Sequence, residues 1–477
     1  MSCGSFAAME SAPANERPSL LADLKSAIAG TNADYTTIPL QRAVLLLAVP
    51  MMIELLLESL FAVVDIYFVA RLGSSAVATV GITETCLYLL YSIAMGVAMA
   101  VTAIIARRIG EQKPEDAART AMQAIWIGVL ASIPFALIGV FYAKDVLRLM
   151  GADDWAIEHG YRYTQWMLGG NVVIMLLFVI NAIFRGAGDA AVAMRVLLVA
   201  NGLNIVLDPI LIFGFGPIPA YGIEGAAIAT NIGRGVGVLL QLWILFRGAK
   251  HIAIDLRNLA LDLATIWHIV RTSLGGIGQM IIATSAWIFL MRVLANVGSD
   301  AVAGATIAMR VLMFTLMPAW GLSNAAATLV GQNLGANRPD RAEAAVWQIG
   351  WYNMVFTLSA SVLFFVFHEQ IIGIFSDDPA VIAIGGEWLW IVSFSFFVYG
   401  WWMVAVQAFN GAGDTVTPTY INLVFFWLIQ IPLAYALAVP LGWAHSGVFW
   451  SVFVSETAVG LFTLWLFSRG GWKNVKV

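Results

Sequence analysis

Three carboxylates, Glu54, Glu58 and Asp65, stand inside one apolar run near the start of this 477-residue chain. An ionisable group at the middle of a bilayer costs about 2.5–3.5 kcal/mol on insertion scales. If the run is helical, at about 100° per residue, Glu58 lies about 40° and Asp65 about 20° round the axis from Glu54. All three therefore share one narrow stripe. Such a stripe cannot face acyl chains, so it looks into the protein. There it either bonds to neighbouring helices or lines a wet cavity that takes a cation or a proton. A second run carries Asn201, Asn204 and Asp208, whose spacings of three and four put them on one helical face. Asp65 stands five residues before Ala70 and Asp208 five before Phe213, each near the end of its run. On helices of the same direction they share a depth, and the pair can share a proton or a sodium ion. The alternative for Asn204 and Asp208 is a polar contact between helices. Glu84, Arg234, Arg310 and Glu456 are further charges in apolar runs. They are expected to pair structurally, while Glu54, Glu58, Glu84 and Asn201 are also candidates for a substrate-lining role. Trp388, Trp390, Trp401 and Trp402 fit either an interfacial belt or stacking on an aromatic cation.

The elements that hold these groups must be membrane helices. The chain is 60% hydrophobic and 11% charged, where a soluble domain carries about 25% charged residues. The small net charge of −4 speaks against a nucleic-acid partner. Cys3, Cys86 and five scattered histidines offer neither a disulfide framework nor metal-ligand spacing. No cofactor is expected beyond a coupling ion. Runs of about 20 residues or more, enough to cross a bilayer, fall near 41–70, 76–105, 120–142, 163–184, 191–213, 222–246, 266–294, 301–330, 344–367, 384–409, 416–439 and 445–467.

These twelve runs are two copies of six. Phe184-Arg185-Gly186-Ala187-Gly188-Asp189 returns as Phe409-Asn410-Gly411-Ala412-Gly413-Asp414, a shift of 225 residues (409 − 184). Gly110 returns as Gly335 and Gly73 as Gly298 at the same shift. An even number of spans gives both lobes one orientation. The expected fold is thus an all-α integral membrane protein with twelve transmembrane helices in two six-helix bundles, related by a pseudo-two-fold axis along the membrane normal. The two glycine-rich segments are turns, since they lack the strand-to-helix setting of a phosphate loop. The shift carries Glu54, Glu58 and Asp65 to Gln279, Ala283 and Leu290, and Asn204 and Asp208 to Ile429 and Leu433. A costly polar cluster kept in one lobe alone points to cation coupling there.

Charge placement orients the bundle. With the N-terminus in the cytosol, the inner segments hold most of the basic residues, among them Arg42, Arg107, Arg108, Arg119, Arg247 and Arg338. The outer segments hold only Arg71, Lys144, Arg148, Arg162 and Arg292. This positive-inside bias puts both termini and the central linker in the cytosol, with the chain in the inner (plasma) membrane. The expected organisation is a mobile cytosolic tail over 1–38, a first lobe over 39–247, a linker over 248–264, a second lobe over 265–470 and a short tail over 471–477. The linker is read as an amphipathic piece along the interface or an irregular tether.

Taken together, Pro50, Val64-Asp65, Phe68 and Arg71-Leu72-Gly73, the segment from Phe184 to Asp189, Asn204-Ile205-Val206-Leu207-Asp208-Pro209 and the run from Gly222 to Thr230 closely resemble the multidrug and toxic compound extrusion (MATE) family of secondary transporters. The resemblance covers about residues 40–470 and is nearest to the family's prokaryotic DinF-like branch. It implies two bundles around a central cleft and export of cationic, aromatic or amphipathic compounds in exchange for H⁺ or Na⁺. It also implies a cation site at Asp65, Asn204 and Asp208, with Na⁺ as one candidate occupant, joined by Asn181 and Thr230, and a first helix that bends at Pro50. The chain departs from the branch at position 58, usually an amide, and at Glu54. Another branch uses a carboxylate in the seventh span, and this chain has none there.

The function expected is therefore a secondary active multidrug antiporter working by alternating access, not an enzyme. Its partners are small cationic or amphipathic molecules and the lipid bilayer, and the chain is expected to act as a monomer. A lipid-linked oligosaccharide flippase of related architecture would need a basic cluster for pyrophosphate, and the apolar runs supply only Arg234 and Arg310. An intramembrane enzyme would need a nucleophile–base or metal grouping that no His, Cys and Asp form here.

Overall fold

Each apolar run satisfies its backbone hydrogen bonds internally, as a chain in lipid must, and so becomes a helix. The computed structural model describes residues 19–248 and 251–475, and among them no strand is longer than the isolated bridge between Phe215 and Ile218. The first lobe contains α2 (Leu40–Ala70), α3 (Ser74–Gly110), α4 (Pro114–Leu149), α5 (Tyr161–Gly169), α6 (Asn171–Ala187), α7 (Ala190–Phe213) and α8 (Ile223–Arg247), preceded by a short α1 (Leu20–Ala29). The second contains α9 (Leu263–Ala295), α10 (Ser299–Gly335), α11 (Pro339–Gly373), α12 (Pro379–Ser393), α13 (Phe396–Gly411), α14 (Val416–Asn422), α15 (Ile431–Ala438) and α16 (Ala444–Ser468). A π-helical stretch, Leu423–Gln430, joins α14 to α15. Among the described residues eleven stretches are long and apolar enough to cross a bilayer, and α12 with α13, bent by 66°, makes a twelfth if the pair is one span. The chain is thus a multi-pass membrane protein of six spans per lobe.

The internal repeat is legible in backbone detail. Non-helical dihedrals kink α4 at Tyr142 and α11 at Phe367. Left-handed residues close α3 at Gln112 and α10 at Asn337. Both pairs are 225 residues apart. Pro50 lies inside α2, which runs as one helix through it.

The lobes meet along one end of the bundle, the end that carries both termini. In α10 almost every residue from Ala319 to Gly335 is buried, as is most of α3 from Gly96 to Ala106 and of α2 from Ala43 to Met51. A Cβ added at Gly110 would lie 2.0 Å from the Gln332 carbonyl oxygen, and one at Gly335 would lie 2.3 Å from that of Arg107. The two contacts are images of each other under the repeat, so the pseudo-two-fold axis passes between α3 and α10 here. Gly96 against Ile277 and Gly321 against Met52 form a second such pair. Towards the other end Glu84 of α3 and Arg310 of α10 are exposed.

The expected mobile tail is only partly a tail. Residues 1–18 lie outside the described residues, but 19–38 are anchored at points, with Ala27, Tyr35 and Thr36 buried. Asp23 pairs with Arg42 at 2.9 Å. Buried Tyr35 donates its hydroxyl to the Gly188 carbonyl at 3.1 Å, in the first lobe. Arg338 donates to the Thr36 carbonyl at 2.7 Å, and Arg341 to the Tyr35 and Ile38 carbonyls, from the second. Burial opposes ionisation of Asp34, but hydrogen bonds from Thr36 outweigh it and hold the carboxyl below its ordinary range. The other terminus is also anchored: Trp472 stacks on Phe467 with ring centroids 4.9 Å apart, and Arg107 donates to the Val475 carbonyl at 2.6 Å. In the linker, Ile252 and Ile254 join the first lobe's core, which ties this segment down more firmly than an interfacial strip or a tether. Replacing Arg338 and Arg341 together with Ala is expected to speed amide exchange across 34–38 at least tenfold. Protection in α2 beyond Leu46 should not change. Exchange unaltered at 34–38 would mean that Tyr35 packing alone holds the segment.

Candidate functional site

The acidic stripe of α2 is answered at two of its three depths, each time by a different helix. At the level nearest the termini, Glu54 Oε1 meets Arg185 Nη1 of α6 at 3.2 Å. About 6 Å further along α2, at 1.5 Å per residue, Glu58 Oε1 meets Arg234 Nη2 of α8 at 2.9 Å, and that guanidinium also lies over the Phe61 ring, 5.1 Å from its centroid. Asn201 of α7 donates to the Leu57 carbonyl at 3.0 Å, which locks α7 to α2 at this depth. Two of the three α2 acids thus have a dedicated arginine.

Asp65 has none. About 10 Å beyond Glu58 along the helix, it is buried, and its Oδ1 has no hydrogen-bond partner. Asp208 of α7 is fully buried and lies within electrostatic reach of Asp65. Asn204 bridges to α8: with its amide N–H donating to Asp208 Oδ2 at 3.0 Å, its oxygen accepts from the Thr230 backbone N–H at 3.1 Å. Pro209, next to Asp208 inside α7, has no N–H to give to the Ile205 carbonyl, and so leaves a helical acceptor unused one turn away. Buried Tyr163 of α5 stands within electrostatic reach of both carboxylates. Two acids, an amide and spare acceptors in a dry site suit a proton or a small hard cation such as Na⁺, which takes oxygen ligands readily.

The structure therefore brings Asp65, Asn204, Asp208 and Thr230 together. It does not bring Asn181 to them. Asn181 Oδ1 accepts from Gln241 of α8, and Gln241 lies eleven residues, about 16 Å along the axis, from Thr230. Asn181 is instead an inter-helix tie near the end that carries the termini. Glu54 and Glu58 leave the free-acid group because each is paired. Glu84 lies on α3, exposed, within electrostatic reach of Asp65 as well as of Arg234 and Arg310. Arg185, Tyr163 and Gln241 escaped the sequence reading. Arg185 belongs to a segment whose glycines mark a turn, and its side chain folds back into the lobe. Nothing in the spacing of Tyr163 distinguishes it from an interfacial tyrosine.

The second lobe clarifies this arrangement. At the positions related by the repeat to Glu54 and Arg185, Gln279 Nε2 donates to Asn410 Oδ1 at 2.9 Å. The same contact is built from charges in one lobe and from neutral amides in the other. The positions matching Asp65 and Asp208 are Leu290 and Leu433.

Comparison with known proteins gives a consistent picture. The MatE family model matches residues 50–210 and 277–436, the two lobes. The chain is 26% identical to the "Probable multidrug resistance protein YoeA" of Bacillus subtilis, over 91% of this chain and 95% of that one. It is 26% identical to the "Probable multidrug resistance protein NorM" of Thermotoga maritima, over 83% and 86%. A solved structure described as the outward-facing conformation of a multidrug resistance MATE family transporter superposes with a TM-score of 0.85 at 24% identity, covering 93% of this chain and 99% of that one.

Proposed function

The chain belongs to the MatE family, and from that premise we propose that it is an efflux antiporter that expels cationic or amphipathic compounds in exchange for H⁺ or Na⁺. One observation carries the reading: among the described residues, Asp65 and Asp208 are buried acids of the first lobe that form no ion pair, Arg234 acting on Asp65 only from a distance, while Glu54 and Glu58 each pair with an arginine. Two interacting carboxylates in a dry site are stable only when they hold a positive charge, as a proton or a metal cation. Binding that charge favours one packing of α2 against α7 and α8, and releasing it favours another. A carrier whose two states differ in this way converts ion flow into substrate movement.

The sided charge distribution supports a plasma-membrane location with both termini cytosolic. The sealed end of the lobes is then the cytosolic end, and the conformation described here is open to the outside. One coupled charge moving through the membrane potential supplies about 2.3 kcal/mol per 100 mV, and about 1.4 kcal/mol is a factor of ten, so a single ion supports accumulation by tens-fold. The test is export of a cationic dye from proteoliposomes under an imposed pH or Na⁺ gradient. Wild type should respond to one of the two gradients, and Asp208→Asn should lose at least nine-tenths of the gradient-driven rate while still binding dye. Gradient response intact in that variant would remove the pair from the coupling step.

A further inference from the structure

The repeat relates one more pair of segments, and neither is a membrane helix. Residues 34–37 precede α2, the first span of the first lobe. The shift of 225 carries them to 259–262, which precede α9, the first span of the second lobe. Each stretch docks on the opposite lobe, and each on the third span there. Arg338, which caps α11, donates to the Thr36 carbonyl at 2.7 Å, and Arg341 in the first turn donates to the Tyr35 and Ile38 carbonyls. In return, buried Gln123 of α4 donates to the Ala260 carbonyl at 2.9 Å and accepts from the Asp262 backbone N–H at 3.1 Å. Trp126, also of α4, donates to the Leu259 carbonyl at 3.3 Å. Guanidinium groups make one dock, an amide and an indole the other, but the arrangement is the same.

The first of the two has an added lock. A Cβ built on Gly188 would lie 2.7 Å from the Tyr35 ring and 3.2 Å from Gln332 Nε2, so the ring enters a slot where the lobes meet. His251 of the linker stands beside it, 6.3 Å between ring centroids. Asp189 holds His251 twice, at its Nδ1 (2.7 Å) and at its backbone N–H (3.2 Å). In the second lobe the corresponding Asp414 caps its own helix, accepting from the Thr417 N–H at 3.0 Å and from its hydroxyl at 2.6 Å. The first lobe has Val192 at the place of Thr417. With no hydroxyl to accept from there, the Asp189 carboxylate serves the linker.

We propose that these two segments are reciprocal clasps, which must let go of the opposite lobe before the end that carries the termini can open. Their combined strength then sets the fraction of chains that rest closed there. The inference rests on the alternating-access part of the efflux reading. A cavity of about 210 Å³ lies between the first clasp, the turn from α3 to α4 and Gln332 of α10, and His251 also lines it. That clasp therefore grips the second lobe through a few directed hydrogen bonds and not through a filled core. Such bonds each contribute a modest net free energy, larger where the donor is charged, so a handful can break and re-form within a cycle. On its own lobe the segment is held by Tyr35, buried and donating to the Gly188 carbonyl at 3.1 Å. It stays there when the arginines release it.

Spin labels on cysteines replacing Glu115 and Ala344, both exposed near the starts of α4 and α11, read the opening as a distance. The measurement is pulsed electron resonance on the full chain in liposomes, in a background lacking Cys3 and Cys86. Wild type should show chiefly the short distance. Gln123→Leu should raise the long-distance population at least threefold, and so should Arg338→Ala with Arg341→Ala. All three together should raise it at least tenfold, since free energies at well-separated sites add. Gln348→Leu is the control. It stands at the position related to Gln123, but its amide reaches Tyr352 of its own helix, and the distances should not change. Unchanged distances in both clasp variants, or an equal shift in the control, would overturn the clasps. So would a loss of dye export with the short distance kept. If the populations shift as expected while wild type exports no dye under either gradient, the efflux reading fails and the clasps stand.

Discussion

Valine at Gly335 is expected to abolish dye export and to leave the lobes parted at the end that carries the termini. The Cβ alone would sit 2.3 Å from the Arg107 carbonyl oxygen and 2.9 Å from the Glu111 nitrogen. Both are backbone atoms of the facing lobe, so no rotamer change relieves the overlap. Overpacking in a core where side chains can shift costs about 1–3 kcal/mol, and two helix backbones cannot yield so cheaply except by moving apart. Each 1.4 kcal/mol is a tenfold change in a two-state population, so the sealed conformation should become the minor one. The repeat supplies an internal control: Gly110→Val, with the Gln332 carbonyl oxygen 2.0 Å away, should fail in the same manner. A cysteine replacing buried Ala103, in a background lacking Cys3 and Cys86, would report the opening. Its labelling by a water-soluble maleimide should accelerate at least tenfold in either glycine variant. Transport within twofold of wild type would show that the seal is not part of the working cycle.

The sequence displayed most of this fold because membrane spans and an ungapped repeat are both long-range patterns. Twelve apolar runs could become only twelve spans, and the shift that relates Gly110 to Gly335 also relates their contacts across the axis. The pairing of Asp65 with Asp208 was readable from depth, since each stands five residues from the end of a helix of the same direction. Partners that arrive from other helices were not readable. Arg185 and Arg234 neutralise Glu54 and Glu58 through contacts 131 and 176 residues apart in the chain, and spacing on one helix carries no trace of them. Asn181 failed for the opposite reason. Its place in a familiar pattern put it in the cation site, while its depth in α6 commits it to Gln241. The N-terminal segment misled through composition: small polar residues suggested mobility, but Tyr35 and the Arg338 and Arg341 side chains hold its end between the lobes.

The Glu54–Arg185 pair allows a decisive separation of scaffold from coupling. Arg185→Asn alone should lower stability by about 3–5 kcal/mol, because it leaves a buried carboxylate without its counter-charge, and thermal unfolding in detergent should show a loss of several degrees. Glu54→Gln alone strands the guanidinium, which is 15% exposed and partly reached by water, and should cost less. The double variant Glu54→Gln/Arg185→Asn installs in the first lobe the amide pair that the second lobe already uses at Gln279 and Asn410. It should recover most of the lost stability, since swapping a buried ion pair for a well-matched neutral one is often close to neutral. Its gradient-driven export should stay within threefold of wild type, in contrast to Asp208→Asn. The contrast follows from charge balance: removing Glu54 and Arg185 together changes no net charge near the proposed cation site, whereas removing Asp208 takes away one of the two carboxylates proposed to hold the ion. A double variant as stable as wild type but unable to couple would make Glu54 a member of the ion pathway, and the assignment of coupling to Asp65 and Asp208 alone would have to be withdrawn.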